Sequence, residues 1–142
     1  MARAHKFWKL QPADRRLLVN AFLAIAAARV RLALLPFRAG KGYLRSRKAG
    51  SAEAWIPDRI AWAVDVASRN LGNATCLARA LAAHGMLASR GFSSCVSIGV
   101  AAGEESGPRK GLIAHAWLEF GGRILLGGPD VGRYIRLLQW CN

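Results

Sequence analysis

Residues 75–81 read TCLARAL, and residues 112–120 read LIAHAWLEF. The first stretch opens on a threonine that suits a helix cap, and it predicts a helix with Cys76 in its first turn. The second stretch alternates between two faces, which predicts a strand with His115 on one face. A thiol near the positive end of a helix dipole favours the thiolate, and a neighbouring histidine supplies a general base. These two stretches therefore predict a cysteine nucleophile on a helix and its base on a strand.

Helices come before strands along the rest of the chain. Proline or aspartate in a first turn marks two more helix starts, so helices are predicted over residues 14–35, 57–70 and 75–91. The apolar period changes to two after Gly91, which predicts strands over residues 92–100, 112–120 and 123–126. Residues 131–140 form either a strand or a helix. Helices followed by an antiparallel sheet predict an α+β fold.

The composition suits one domain with its own core. The chain has 142 residues, and 53% of them are hydrophobic, so a core forms without metal or disulfide crosslinks. Three cysteines are an odd count without a C-x-x-C pair, which predicts neither a zinc site nor a disulfide framework. We interpret Cys95 and Cys141 as structural residues. A reducing cytoplasm is the predicted compartment, and neither a metal nor a cofactor is predicted.

Positive charge is concentrated in the first third of the chain. The net charge is +13, and residues 1–50 carry +11 of it, with 12 Lys or Arg and one acid, Asp14. We predict that residues 1–50 form a basic helical arm packed on a catalytic core of residues 51–142. Such an arm would meet an acidic protein, nucleic acid or anionic lipid.

The apolar part of this arm raises the question of a membrane span. Residues 17–28 are apolar except for Asn20, but Arg29 ends the run after 12 residues. A membrane-spanning helix needs about 20 residues. Residues 24–28 imitate a signal-peptide cleavage site, yet the helical pattern continues to Leu35. The pattern therefore favours a buried or partner-facing helix over a signal peptide or a transmembrane span.

The hairpin after the histidine strand indicates where a third catalytic group belongs. A histidine that acts as a base needs a partner that orients its ring. If Gly121 and Gly122 form a two-residue turn, Phe120 faces Arg123, and counting back places His115 opposite Gly128. The orienting carboxylate is therefore expected near residue 127 or 128, and both are glycines.

Three other groups are candidates for this role or for the oxyanion. Asp130 is the nearest acid, and it can orient His115 if the chain bends back. Glu119 shares the face of His115 but lies about 13 Å along the strand, which is too far for a hydrogen bond. Asn73 or a backbone carbonyl can orient the ring instead. The Cys76 N–H would stabilise an oxyanion, and the Asn73 amide can add a second donor.

Several of these segments resemble the transglutaminase-like leader peptidases of lasso-peptide biosynthesis: CLARAL (76–81), SIGV (97–100), HAWLE (115–119), GGPD (127–130) and LLPFR (34–38). The resemblance implies a transglutaminase-like or papain-like core and a cysteine protease with Cys76, His115 and Asp130 as its triad. Many members have aspartate about where Gly127 stands, so this chain departs from the pattern there.

The same resemblance implies a reaction and partners. The protease would remove the leader from a ribosomally made precursor through a thioester, and a separate cyclase would close the macrolactam ring. In fused members a small leader-recognition domain precedes the protease. This chain has no room for it, so the resemblance implies a separate recognition protein. No cofactor, nucleic acid or transmembrane span is implied.

Two other functions are compatible with the sequence. A transglutaminase-like acyl transferase would use the same thioester, with an amine instead of water as the attacking group. A non-enzymatic basic adaptor would use the N-terminal arm to bind nucleic acid or membrane. The sequence contains neither a known nucleic-acid motif nor a stacking platform of strand-borne aromatic residues, which disfavours the adaptor.

Overall fold

A computed structural model of the chain describes residues 10–35, 53–72, 74–103 and 111–142. Its elements follow the predicted order, helices before strands. They are α1 (Pro12–Leu34), α2 (Ile56–Asn70), α3 (Cys76–Ala88), β1 (Cys95–Ala102), β2 (Leu112–Phe120), β3 (Arg123–Leu126), a 3₁₀ helix (Pro129–Arg133) and β4 (Ile135–Cys141). The strands form one antiparallel sheet in the order β3-β2-β1-β4. The predicted α+β class is confirmed.

The helix starts follow the sequence signals. Pro12 and Pro57 stand in the first turns of α1 and α2, where a missing backbone N–H costs nothing. Thr75 caps α3, and its Oγ1 accepts a hydrogen bond of 3.2 Å from the Ala78 N–H. That cap fixes where α3 begins, and it therefore fixes Cys76 as the first helical residue.

The core lies between the three helices and one face of the sheet. Alanines with almost no solvent exposure allow the helices to approach closely, and larger side chains fill the layer next to the sheet. The largest buried side chains include Ile25, Ile60, Val64, Leu87, Val96 and Leu118. α3 packs directly on β2 and β1. This packing holds the start of α3 and the histidine strand in one rigid layer.

The turn of the β2–β3 hairpin is as predicted, but the register of its two strands differs from the prediction. Phe120 pairs with Arg123 across the two-residue turn, as predicted. A bulge between Leu118 and Glu119 then shifts the pairing, so that Leu118 faces Leu126. The predicted pairing of His115 with Gly128 is therefore wrong. The irregularity comes from packing in the folded sheet, and no turn residue signals it.

The C-terminal segment forms β4, and a disulfide bond links it to β1. Cys95 and Cys141 are register partners on the two strands, and their sulfurs are bonded. The expectation that no disulfide forms is wrong, because the sheet topology brings together two cysteines that are 46 residues apart. Disulfides persist in oxidising compartments, whereas a reducing cytoplasm was predicted from the expected absence of a disulfide framework. The cytoplasmic location stays a prediction.

α1 has an inner and an outer apolar face. Leu18, Ala21 and Ile25 are buried on the inner face against α2 and α3. By length and composition, α1 is the one helix of the described segments that is long and apolar enough to cross a membrane, and 22% of its most apolar window is buried. A core helix or a signal sequence passes the same test. The absence of a transmembrane span therefore stays a prediction.

His84 predicts how stability depends on pH. Its Nδ1 lies 2.8 Å from Ser94 Oγ, and burial lowers the pKa of His84 below its ordinary value of 6.5. Above pH 6.5 the ring is neutral in both the folded and unfolded states. As pH falls through 6.5, the unfolded state takes up the proton first, so stability decreases until the folded-state pKa is passed.

We expect urea unfolding to show this loss between pH 7 and pH 5, with a slope of at most about 1.4 kcal/mol per pH unit. His84→Gln removes the titrating ring and should flatten that part of the profile. An identical slope in the variant would assign the pH dependence to other groups.

Candidate active site

Cys76 lies at the positive end of α3. It is the first residue of the helix, and its half-buried side chain is a free thiol. Backbone N–H groups in a first helical turn have no partners within the helix, so they are available to negative charge. The side chain of Cys76 thus lies at a helix end whose N–H groups can donate hydrogen bonds to a negatively charged group.

Cys76 and His115 line the same cavity. Its volume is about 350 Å³, and it lies between α2, α3 and the β2–β3 hairpin. Among the described residues no hydrogen bond joins the thiol to the ring. The lining residues are Asp65, Cys76, Arg79, Ala80, His115, Ala116, Leu125, Leu126, Gly127 and Gly128. The two residues that the sequence selects as nucleophile and base therefore face one shared space.

A backbone carbonyl orients the imidazole of His115. Its Nε2 lies 2.7 Å from the carbonyl oxygen of Gly127. A carbonyl oxygen only accepts hydrogen bonds, so Nε2 carries the hydrogen and donates it. In the neutral ring this leaves the lone pair on Nδ1, which is the form that a general base requires. Of the orienting groups considered from the sequence that lie in the described segments, the backbone carbonyl is the one that is hydrogen-bonded to the ring.

Asp130 does not occupy the position expected for it. It lies exposed in the 3₁₀ helix, outside the lining of the cavity. The chain meets the imidazole at Gly127, three residues earlier, and the Gly127 carbonyl already holds Nε2. The expectation that Asp130 orients His115 is corrected accordingly. Asn73, the expected oxyanion donor, lies outside the described residues.

Glycine at position 127 allows the hairpin to approach the ring this closely. A Cβ at that position would lie 2.3 Å from Trp117 Cβ and 3.5 Å from His115 Nε2. The φ of +125° is also unfavourable for any residue with a side chain. The resemblance places aspartate about here in many members. In this chain the same position offers its carbonyl instead of a carboxylate.

A paired aspartate and arginine form the opposite wall of the cavity, and sequence reasoning missed both. Asp65 Oδ1 accepts a hydrogen bond of 2.7 Å from Arg79 Nη2, and the second carboxylate oxygen accepts from Arg69. The Nε of Arg79 is buried and has no hydrogen-bond partner in the described part of the chain. Arg79 follows Cys76 by three residues, which places both on one face of the helix. This spacing was the signal in the sequence that could have identified Arg79 as a neighbour of Cys76.

Aromatic rings surround His115 on the sheet side. The Trp117 ring stacks at 6.3 Å between centroids, with 25° between the planes. The Tyr134 ring lies at 5.0 Å, and no sequence signal singled it out. Glu119 makes no contact with His115, in agreement with the distance argument, but it accepts a hydrogen bond from Trp117. His115 is therefore held by a carbonyl on one side and by stacked rings on another.

Within the described segments, no group of three or more His, Cys, Asp or Glu side chains is placed to hold a metal ion.

In a comparison with protein families, the sequence model of the transglutaminase-like superfamily matches residues 17–139. No curated protein and no solved structure matches the chain. The matched residues include most of α1, so this helix is part of the domain that the family shares.

Gly127→Ala tests the role of the close approach. The added methyl group collides with Trp117 at a strained φ, so we expect a loss of at least about 2 kcal/mol in unfolding free energy. Displacement of the carbonyl should slow iodoacetamide alkylation of Cys76 by up to about a hundredfold. Gly132→Ala is the matched control, because a Cβ there meets nothing within 4 Å. Equal behaviour of the two variants would contradict this account.

Proposed function

We propose, from the premise that the chain belongs to the transglutaminase-like superfamily, that it is a cysteine peptidase which removes the leader from a ribosomally made lasso-peptide precursor. The observation that supports this most is the shared cavity of Cys76 and His115, with His115 Nε2 fixed on the Gly127 carbonyl. The leader-peptidase role itself rests on the resemblance of five segments. The superfamily match supports the coarser part, cysteine-based acyl chemistry.

The proposed reaction proceeds in two halves. Nδ1 of His115 takes the proton from Cys76 Sγ, and the sulfur attacks the carbonyl carbon of the scissile peptide bond. His115 returns the proton to the leaving amine, the C–N bond breaks, and a thioester remains on Cys76. Water then attacks the thioester with His115 as base, which releases the leader carboxylate and the free thiol. The Gly127 carbonyl keeps the ring in the same tautomer through both halves.

Oxyanion stabilisation comes in this proposal from the start of α3. The Cys76 N–H belongs to the first turn, where no carbonyl within the helix accepts from it. The side chain of Asn73 is proposed as the second donor. Because α3 is capped by Thr75 and packed on the sheet, the position of the Cys76 N–H is set by the fold before substrate arrives.

The size of the cavity limits what the chain recognises by itself. Ligand pockets span about 300 to 1,000 Å³, so a cavity of about 350 Å³ holds only one or two residues around the scissile bond. A leader is longer than that. Recognition of the leader must therefore come largely from another surface, and we assign it to a separate leader-recognition protein, with a cyclase acting on the product.

The outer face of α1 is the proposed docking surface for that recognition protein. Val19, Leu23 and Val30 share one side of the helix, and Leu23 is 64% exposed. Arg29 and Arg31 flank this stripe and are exposed. An apolar stripe with basic borders suits a protein partner that presents an apolar groove beside an acidic leader.

An acyl transferase is the second candidate function, because the superfamily includes both kinds of enzyme. The first half of the reaction is identical, and only the group that attacks the thioester differs. Mass spectrometry of the products separates the two outcomes. A peptidase releases a leader with a free carboxylate, whereas a transferase releases a leader joined to an amine.

Substitution of the two catalytic residues tests the chemistry. Cys76→Ala and His115→Ala should each reduce precursor cleavage by at least about a thousandfold, because the pair acts as one unit. Asp130→Asn is the matched control and should cleave at close to the wild-type rate, since Asp130 lies outside the cavity. Cleavage is followed by mass spectrometry with the recognition protein present. An active Cys76→Ala variant would overturn the mechanism.

Substitution on α1 tests the docking surface. Leu23→Ser with Val30→Ser should weaken the apparent affinity for the recognition protein by about tenfold or more, because an interface core is lost. Iodoacetamide labelling of Cys76 should not change, since both side chains lie away from the cavity. Ile135→Ser with Leu137→Ser removes similarly exposed side chains from β4 and serves as the control. If the α1 variant keeps the wild-type affinity for the recognition protein, this surface is excluded as the docking site.

A further inference from the structure

Trp117 occupies a space that is built for its indole. Its side chain is 2% exposed, and it lies on the same face of β2 as His115. Gly99 is the β1 residue paired with His115, and a Cβ at Gly99 would lie 2.9 Å from the Trp117 ring. A Cβ at Gly127 would lie 2.3 Å from Trp117 Cβ. Gly99 on β1 and Gly127 just after β3 thus leave room for the indole beside His115.

Glu119 holds the edge of that indole. Its Oε1 accepts a hydrogen bond of 2.7 Å from Trp117 Nε1 and one of 2.5 Å from Arg136 Nη2. Ser97 on β1 and Gln139 on β4 donate longer bonds of 3.4 Å to the same carboxylate. The groups that meet at Glu119 therefore come from three strands.

The position of Arg136 offsets the charge of this carboxylate. The side chain of Glu119 is 21% exposed, so its ionised form needs a partner. Arg136 forms the ion pair, and its guanidinium also lies 5.7 Å from the Trp117 ring centroid. A neutralised carboxylate of this kind acts on its neighbours through geometry more than through net charge. Its influence on His115 therefore passes through the indole.

We propose that Glu119, acting through the Trp117 ring, is a positioning residue for His115. The inference rests on the proposed function of the Cys76–His115 pair as nucleophile and base. Glu119 fixes the Trp117 N–H, the fixed indole fixes the plane of the stacked imidazole, and that plane directs Nε2–H to the Gly127 carbonyl. The lone pair of Nδ1 is thereby kept for the thiol. Without Glu119 the imidazole rotates, and both tautomers become populated.

The experiment uses the full chain and needs no substrate. ¹⁵N NMR of His115 reports its tautomer, and iodoacetamide alkylation reports the reactivity of Cys76. We expect Glu119→Ala and Trp117→Phe each to mix the His115 tautomers and to slow alkylation by about tenfold to a hundredfold. Glu119→Gln keeps an acceptor for the indole N–H and should restore most of the rate.

The double variant distinguishes positioning from a general structural role. If Glu119 acts through the indole, Glu119→Ala should change little further in a Trp117→Phe background, because the two effects share one path. Additive losses, or an unchanged tautomer in Glu119→Ala, would overturn the proposal. NMR observes the folded protein, so partial unfolding does not mask the result.

A control and a second assay complete the test. Asp58→Ala removes a carboxylate that also pairs with an arginine of the sheet, Arg123, but lies outside the ring cluster. It should leave the His115 tautomer and the alkylation rate unchanged, and a loss equal to that of Glu119→Ala would count against positioning. Failure of the wild-type chain to cleave the precursor with the recognition protein present would refute the leader-peptidase role and leave the tautomer result intact.

Discussion

The hydrogen bond from His115 Nε2 to the Gly127 carbonyl is the contact on which the site depends. It requires that the chain after β3 pass within 2.7 Å of the ring. The bulge in the hairpin and the positive φ of Gly127 bring the chain there, and the missing side chain at position 127 lets it stay. A change in any of these three features moves the carbonyl. In the proposed mechanism, the identity of Nδ1 as the base follows from this one bond.

Sequence reasoning predicted the elements of the fold well and their register poorly. Caps and apolar periods are local, so α1, α2 and α3 and the first three strands follow from short stretches. The bulge at Leu118 and the meeting of Cys95 with Cys141 depend on how distant strands pack. The same limit applies to the site. Cys76 and His115 carry local signals, whereas the contact with Gly127 depends on the shifted register.

Asp65, Arg79 and Tyr134 were missed for a related reason. Asp65 and Tyr134 lie in ordinary local patterns, and only the packing of α2 and of the C-terminal segment brings them near Cys76 or His115. Arg79 lies one turn after Cys76 on α3, but only its pairing with Asp65 on α2 makes it part of the cavity wall. α1 presents the opposite difficulty. Its apolar residues surround the helix, so the sequence predicts a buried or partner-facing helix without indicating which side packs on the core and which remains exposed.

The group that orients His115 also determines how much negative charge lies beside the imidazole. A carboxylate beside the imidazole would add a full negative charge, whereas the Gly127 carbonyl supplies only a dipole. The carboxylate that lines the cavity, Asp65, already binds Arg79 and Arg69. In the proposed mechanism, stabilisation of the negative charge that develops during the reaction is therefore assigned to the N–H groups at the start of α3. The helix side of the cavity supplies the electrostatics, and the sheet side supplies the direction in which the base points. Because a neutral carbonyl constrains the ring less strongly than an ion pair would, this sheet needs the additional constraint of the stacked indole.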